Sequence, residues 1–207
     1  MKRRLLQYPI GLLVLALGAV LLKKAALGMT PTTSVPAAVS AATSLSLGTT
    51  TMLLHVVCWI AIVTLQRKID LKSILILPLA VVFGWIVDGY MFLLQFGQLP
   101  LWVCVVICLC GIAATALGIV IIVGCNGLLP APDALLRTIN VKYNIPLSKV
   151  KLAGDAIWVV CAIAVDLIFS HKLFLSVGVG TVLAVLLTGR LVGVFGKYLP
   201  WLNREER

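Results

Sequence analysis

The run L-W-V-C-V-V-I-C-L-C-G-I-A-A-T-A-L-G-I-V-I-I-V (101–123) carries no charge and one hydroxyl, that of Thr115. Such a segment has few ways to exist. In an apolar medium each unpaired backbone N–H or C=O is costly, so a lone segment must satisfy its own backbone as a helix. About 20 helical residues cross a hydrocarbon core of about 30 Å. The chain holds six runs of that order, at 5–22, 48–65, 73–94, 101–123, 152–169 and 173–195. None alternates with period two as a barrel strand would. The expected fold class is an all-α membrane protein of six transmembrane helices, one transmembrane domain over 1–207.

Composition supports lipid as the solvent. Apolar residues make up 61% of the chain, charged residues 12%, and mean hydropathy is +1.13. A soluble domain carries roughly a quarter charged residues. The net charge of +10 is spread between apolar runs, with no basic face interleaved with aromatics, so no nucleic-acid partner is expected. The start M-K-R-R followed by an apolar run is similar to a secretory leader. The run is long, however, and Lys23-Lys24 follow it without a small-residue cleavage site, which favours an uncleaved first span.

Lys and Arg set the expected orientation. With the N-terminus inside, the inner side receives Lys2, Arg3 and Arg4, then Arg67, Lys68 and Lys72. It also receives Arg137, Lys142, Lys149 and Lys151, and finally Lys197, Arg204 and Arg207. Outside lie only Lys23, Lys24 and Lys172, while Arg190 falls within the last run. Both termini are therefore expected in the cytoplasm.

The sequence also echoes itself. Ala16-Leu17-Gly18 recurs as Ala116-Leu117-Gly118, and Pro31 as Pro132. V-V-C-W-I-A-I-V (56–63) resembles V-V-C-A-I-A-V-D (159–166), and F-G-W-I-V-D (83–88) aligns with T-G-R-L-V-G (188–193). The matches keep their order at offsets between 100 and 105. They predict two three-helix repeats, about 1–97 and 98–200. An odd number of spans per repeat makes the two halves inverted in the membrane, a design found in transporters.

Several short motifs are familiar. Leu27-Gly28-Met29-Thr30-Pro31 ends the first span, Leu45-Ser46-Leu47-Gly48 opens the second, and Gly178-Val179-Gly180-Thr181 precedes the last. Together they resemble the YczE/YyaS/YitT-like family of small bacterial integral membrane proteins. That family tends to carry an aromatic and an acid after the proline, where this chain has Thr32 and Thr33. The resemblance implies a multi-pass protein of the bacterial inner (cell) membrane, and it lends little about activity.

Four charges interrupt the runs: Asp88, Asp155, Asp166 and Arg190. A charge within a span is costly unless paired, hydrated or snorkelling. Asp155 and Asp166 are eleven residues apart, about 20° from whole helical turns, so they share a face. Depth sorts the charges into an inner layer, where Asp155 is placed to meet Arg190, and an outer layer, where Asp88 and Asp166 are placed to meet Lys23 or Lys24. One reading makes these layers gates, or an ion or proton site; the other makes them ion pairs fixing helix register. Pro31 and Pro132 open irregular segments. Asp133 favours a helix start, and Leu135, Leu136 and Ile139 give that helix an apolar face. Helices starting at these prolines would aim positive ends at an anionic solute. His55 and Trp85 are candidate cavity-lining residues.

No P-loop, triad or metal cluster is present, and G-V-G-T lacks the P-loop lysine. The six cysteines form no C-x-x-C pair and read as apolar thiols, so neither cofactor nor metal is expected and catalysis is not. The leading expectation is a small-solute transporter or channel-like permease, with proton or ion coupling open. The alternatives are a solute-binding membrane subunit served by a separate ATPase module, and a non-transporting membrane scaffold for a biosynthetic or signalling complex. The expected partners are the lipid bilayer and a small solute, and the basic inner loops leave room for a homodimer or a partner subunit.

Overall fold

A computed structural model describes residues 2–97, 99–125, 127–170 and 176–198. Its elements in chain order are α1 (Lys2–Ala25), α2 (Pro31–Ala42), α3 (Leu47–Gln66), α4 (Leu71–Leu93), α5 (Leu101–Gly124), α6 (Ala131–Tyr143), α7 (Leu147–Val165) and α8 (Val179–Tyr198). No strand occurs among the described residues. A π-helical turn, Asp166–Ser170, prolongs α7.

Six segments are long and apolar enough to cross a membrane: Gln7–Ala25, Leu47–Gln66, Ser73–Leu93, Leu101–Gly124, Lys149–Phe169 and Val179–Tyr198. The chain is a helical multi-pass membrane protein. Five spans fall where hydropathy places them. The sixth was expected from 173, but the helix begins at Val179. Ser176 and Gly178 are instead engaged by residues 27–29 through their backbones, which competes with helix formation there. Lys172 and His171 lie outside the described residues, as do Arg204 and Arg207.

Local chemistry explains the helix ends. The Ser46 hydroxyl accepts from Thr49 N, and the Asp70 carboxylate from Ser73 N, satisfying donors that the first turns of α3 and α4 leave free. Arg67 and Asn144 close α3 and α6 with left-handed backbones, φ 52° and 53°. Pro31 opens α2 and Pro132 sits in the first turn of α6, where a missing N–H costs nothing. α2 and α6 have 12 and 13 residues, too few to span.

The packing follows a pattern. α1 lies against α5; α1 also packs on α4, as α5 does on α8. α2 packs on α7 as α6 does on α3, and α2 on α3 as α6 on α7. One pairing has no counterpart: α3 and α4 pack together, whereas α7 and α8 barely touch among the described residues.

The α1–α5 contact is antiparallel and made on glycine. A Cβ on Gly18 would meet the hydroxyl and backbone of Thr115, and one on Gly118 would lie 2.7 Å from Leu15 N. A Cβ on Gly11 would lie 2.8 Å from Ile122 Cγ1, and one on Gly111 3.0 Å from Leu22 Cγ. Small residues of this kind let helix backbones approach closely where lipid supplies no hydrophobic drive. Ala16, Val20, Leu22, Ile112 and Ile122 fill the surrounding core. Gly18→Val or Gly118→Val forces the helices apart, with a cost of about 1–3 kcal/mol each. Gly89→Ala, whose Cβ would have open space, leaves stability unchanged. Thermal unfolding of the three variants in one detergent checks this.

Candidate functional site

The end of the molecule bearing Arg67, Lys68, Arg137 and Lys142 is open. A cavity of about 1510 Å3 lies there between the end of α3, the start of α4, the end of α5 with residues 127–129, and α6. α6 runs beside the second half of α3 in the same direction. Ala131 packs in a cluster with Leu54, Cys58 and Ile62, Thr138 reaches Gln66 Nε2 at 3.5 Å, and Lys142 Nζ donates to Leu65 O at 2.6 Å. Tyr8 ties the reversing segment down, its hydroxyl donating to Leu128 O at 2.9 Å.

The opposite end is closed. Met29 N donates to Ser176 O at 3.2 Å and Gly180 N to Leu27 O at 2.7 Å. Gly28, at φ +117°, sits so near Gly178 that its Cβ would lie 2.6 Å from Gly178 N. The L-G-x-x-P and G-x-G-T motifs therefore meet as one backbone-to-backbone contact. Both glycines are required there, one by its positive φ and both by the close approach.

Asp166 belongs to this closed end. It is fully buried on the π-turn, and its carboxylate accepts from Ser176 N at 2.8 Å and Ser176 Oγ at 3.2 Å. Lys23 lies within electrostatic reach of Asp166 but makes no ion pair with it. Asp88 is held in a similar way, accepting from Ser46 Oγ at 2.6 Å and Gly48 N at 2.7 Å, at the start of α3. The expected outer pairing of Asp88 and Asp166 with Lys23 or Lys24 is therefore replaced by N–H and O–H donors, from the start of α3 for Asp88 and from the segment before α8 for Asp166. Those donors stabilise a carboxylate without adding a second charge.

The expected Asp155–Arg190 pair also does not form. Arg190 is exposed and has no ion pair among the described residues. Asp155 instead meets Lys151, one turn earlier on α7, at 3.0 Å, and the same Lys151 Nζ reaches Asp133 Oδ1 at 3.1 Å. The first is an ion pair without hydrogen-bond geometry, since Asp155 Oδ1 has no hydrogen-bond partner. Lys151 thus ties α7 to the first turn of α6. Its four-residue spacing from Asp155 was a legible signal that depth-sorting overlooked.

His55 is buried, with Nδ1 2.7 Å from Thr51 O and its ring 5.7 Å from that of Phe83. Trp85 is exposed rather than lining a cavity. Pro31 and Pro132 are buried at the starts of α2 and α6. Sequence reading missed Trp59 and Trp158, which pack in the cluster around Cys58. Both indole N–H groups are buried with no hydrogen-bond partner among the described residues, an unusual condition for a buried donor.

Fold and site together define a six-span helical membrane protein with one basic, open end and one end closed by backbone contact. The chain belongs to a family of unknown function (DUF6198), matched over residues 2–197. No curated protein and no solved structure matches it.

Lys151→Met leaves Asp133 and Asp155 facing each other unneutralised. It lowers stability by on the order of 1 kcal/mol, more than Asp133→Asn, which removes one of two carboxylates around a single lysine. Thermal unfolding in detergent at low salt distinguishes the two.

Proposed function

We propose that this protein is a small-solute permease of the bacterial inner membrane working by alternating access, with both termini and the basic cavity on the cytoplasmic side. One observation carries the reading: segments that correspond under the hundred-residue offset flank an open cavity at one end and are in backbone contact at the other. Val123, Gly124 and Gly127–Leu129 line the open cavity together with Asp70, Ser73 and Ile76. Their counterparts, near 23–29 and 176–181, form the closed contact through Leu27–Met29 and Ser176–Gly180.

The packing supports inverted halves. Gly18 against Thr115 becomes Gly118 against Leu15 on exchange of the repeats, and Gly11 against Ile122 becomes Gly111 against Leu22. The helix pairings exchange in the same way, except that α3–α4 is packed and α7–α8 is loose. Two copies of one motif in different arrangements at opposite ends are what a carrier caught facing one side requires. The other state follows by exchange: 127–129 approach 71–75 and shut the basic end, while Leu27–Met29 leave Ser176–Gly180.

Asp166 and Asp88 then act as holders of a state. Opening the outer end would strip Asp166 of the Ser176 donors, leaving it to take water or a cation. Arg190 is exposed and stays a positioning or lipid-facing candidate.

Gly178→Val drives the test. A Cβ at Gly178 would lie 2.5 Å from Leu27 O, so the variant pushes the closed end apart. With the six natural cysteines replaced, spin labels at Leu27→Cys/Val179→Cys and at Gln66→Cys/Val123→Cys report the two ends. In lipid nanodiscs the variant is expected to lengthen the first distance and shorten the second. A longer first distance with the second unchanged would contradict alternating access.

A further inference from the structure

At the basic end, four cations (Arg67, Lys68, Arg137 and Lys142) and one carboxylate, Asp70, line the cavity among the described residues. Asp70 caps α4 through Ser73, and Lys142 is taken up by the Leu65 carbonyl. Arg67, Lys68 and Arg137 line the cavity and make no ion pair among the described residues. Gln66 and Thr138 add polar groups beside them.

Next to this cavity lies a second hollow of opposite character. It is a groove of about 630 Å3 between α1 and α4, walled by Leu12, Leu13, Leu79, Val82 and Ile86 among others. Its one hydroxyl, on Tyr8, is already engaged by Leu128 O. Leu128 borders both hollows, and α4 runs from one into the other, through Ser73 and Ile76 to Leu75 and Leu79. A cationic chamber and an apolar slot thus lie side by side, with Leu128 as their common wall.

We propose that these hollows form one site for an anionic amphiphile: a phosphate or carboxylate head among Arg67, Lys68 and Arg137, and a hydrocarbon tail in the α1–α4 groove. A soluble anion would use the chamber but leave the slot without purpose. A zwitterionic lipid would bring a positive group to a chamber where four cations face one carboxylate, Asp70, which is already engaged by Ser73. Arg67 and Arg137 suit the head because a guanidinium binds phosphate or carboxylate through two parallel hydrogen bonds. The site names the class of solute that the proposed permease would carry, and in that sense rests on that reading. Binding itself can be tested without transport.

Native mass spectrometry of the full chain in mild detergent, titrated with phosphatidylglycerol, phosphatidylethanolamine or inorganic phosphate, tests the site. Phosphatidylglycerol is expected to be retained over phosphatidylethanolamine. Arg67→Gln with Arg137→Gln is expected to weaken it roughly 10- to 30-fold, given the attraction an anionic headgroup has for each nearby basic residue. Arg67→Lys with Arg137→Lys, which keeps the charge but not the paired hydrogen bonds, is expected to bind more weakly than the natural chain yet clearly better than the glutamine pair, which separates loss of charge from loss of fold. Leu79→Trp, which fills the slot, is expected to weaken phosphatidylglycerol while leaving any retention of inorganic phosphate as it was. Equal retention of the two lipids, or no effect of the double glutamine variant, would overturn the site. Loss on removing charge but not on filling the slot, with inorganic phosphate competing, would replace the amphiphile with a soluble anion. Should binding follow the expectation while spin-label distances at the two ends stay uncoupled, the permease reading fails and the lipid site stands.

Discussion

Everything in this protein hangs on the backbone of α1 lying directly against that of α5. Gly11 and Gly18 on one helix and Gly111 and Gly118 on the other remove the side chains that would keep them apart. In lipid there is no hydrophobic gain from bringing two apolar helices together, so close van der Waals contact has to supply the attraction. The remaining elements are arranged around this pair. α4 and α8 lean on its two sides, and the short helices α2 and α6 are fed directly from its two ends.

Those two ends set the chemistry. Where α1 gives way to residues 26–30, the chain is held by two backbone hydrogen bonds and a glycine–glycine contact to the start of α8. Beyond α5, at 127–129, the chain is held by the Tyr8 hydroxyl and faces an open cavity. Two hydrogen bonds and a packed glycine pair make a latch of modest strength, each net hydrogen bond contributing about 1 kcal/mol. A latch of that size is suited to opening and closing. The carboxylate of Asp166 strengthens it, and Lys151, bridging Asp133 and Asp155, steadies α6 against α7 at the other end.

Much of this was legible in the sequence, because hydropathy alone locates helices when lipid is the solvent. The amphipathic helix after Pro132 was legible for the same reason. The start of α8 was not. The run from 173 is apolar enough for helix, but Gly178 and Gly180 serve a contact with residues 150 positions away in sequence. The charges could be sorted by depth but not by partner. Depth along a helix says nothing about which way a side chain faces around it, so the inferred pairing of Arg190 with Asp155 had no azimuthal support. Asp88 and Asp166 were expected to seek lysine, yet each found a backbone N–H and a serine hydroxyl, at the start of α3 and just before α8, where no charge pattern marks them. The offset of 100 between glycines on α1 and α5 was visible from the start in the two A-L-G triplets. What it built, a tight antiparallel pair, needed the structure.

The most direct measurement of the account is sidedness of access. Single cysteines at Thr138 in the basic cavity and at Thr33 near the start of α2, in a background without natural cysteines, are exposed to a membrane-impermeant maleimide in right-side-out and inverted vesicles. An inward-open carrier labels at 138 only from the cytoplasmic side, and at 33 slowly and only from outside, faster when Gly178→Val is introduced. Labelling of position 138 from the outside, or of both positions from both sides, would contradict the account.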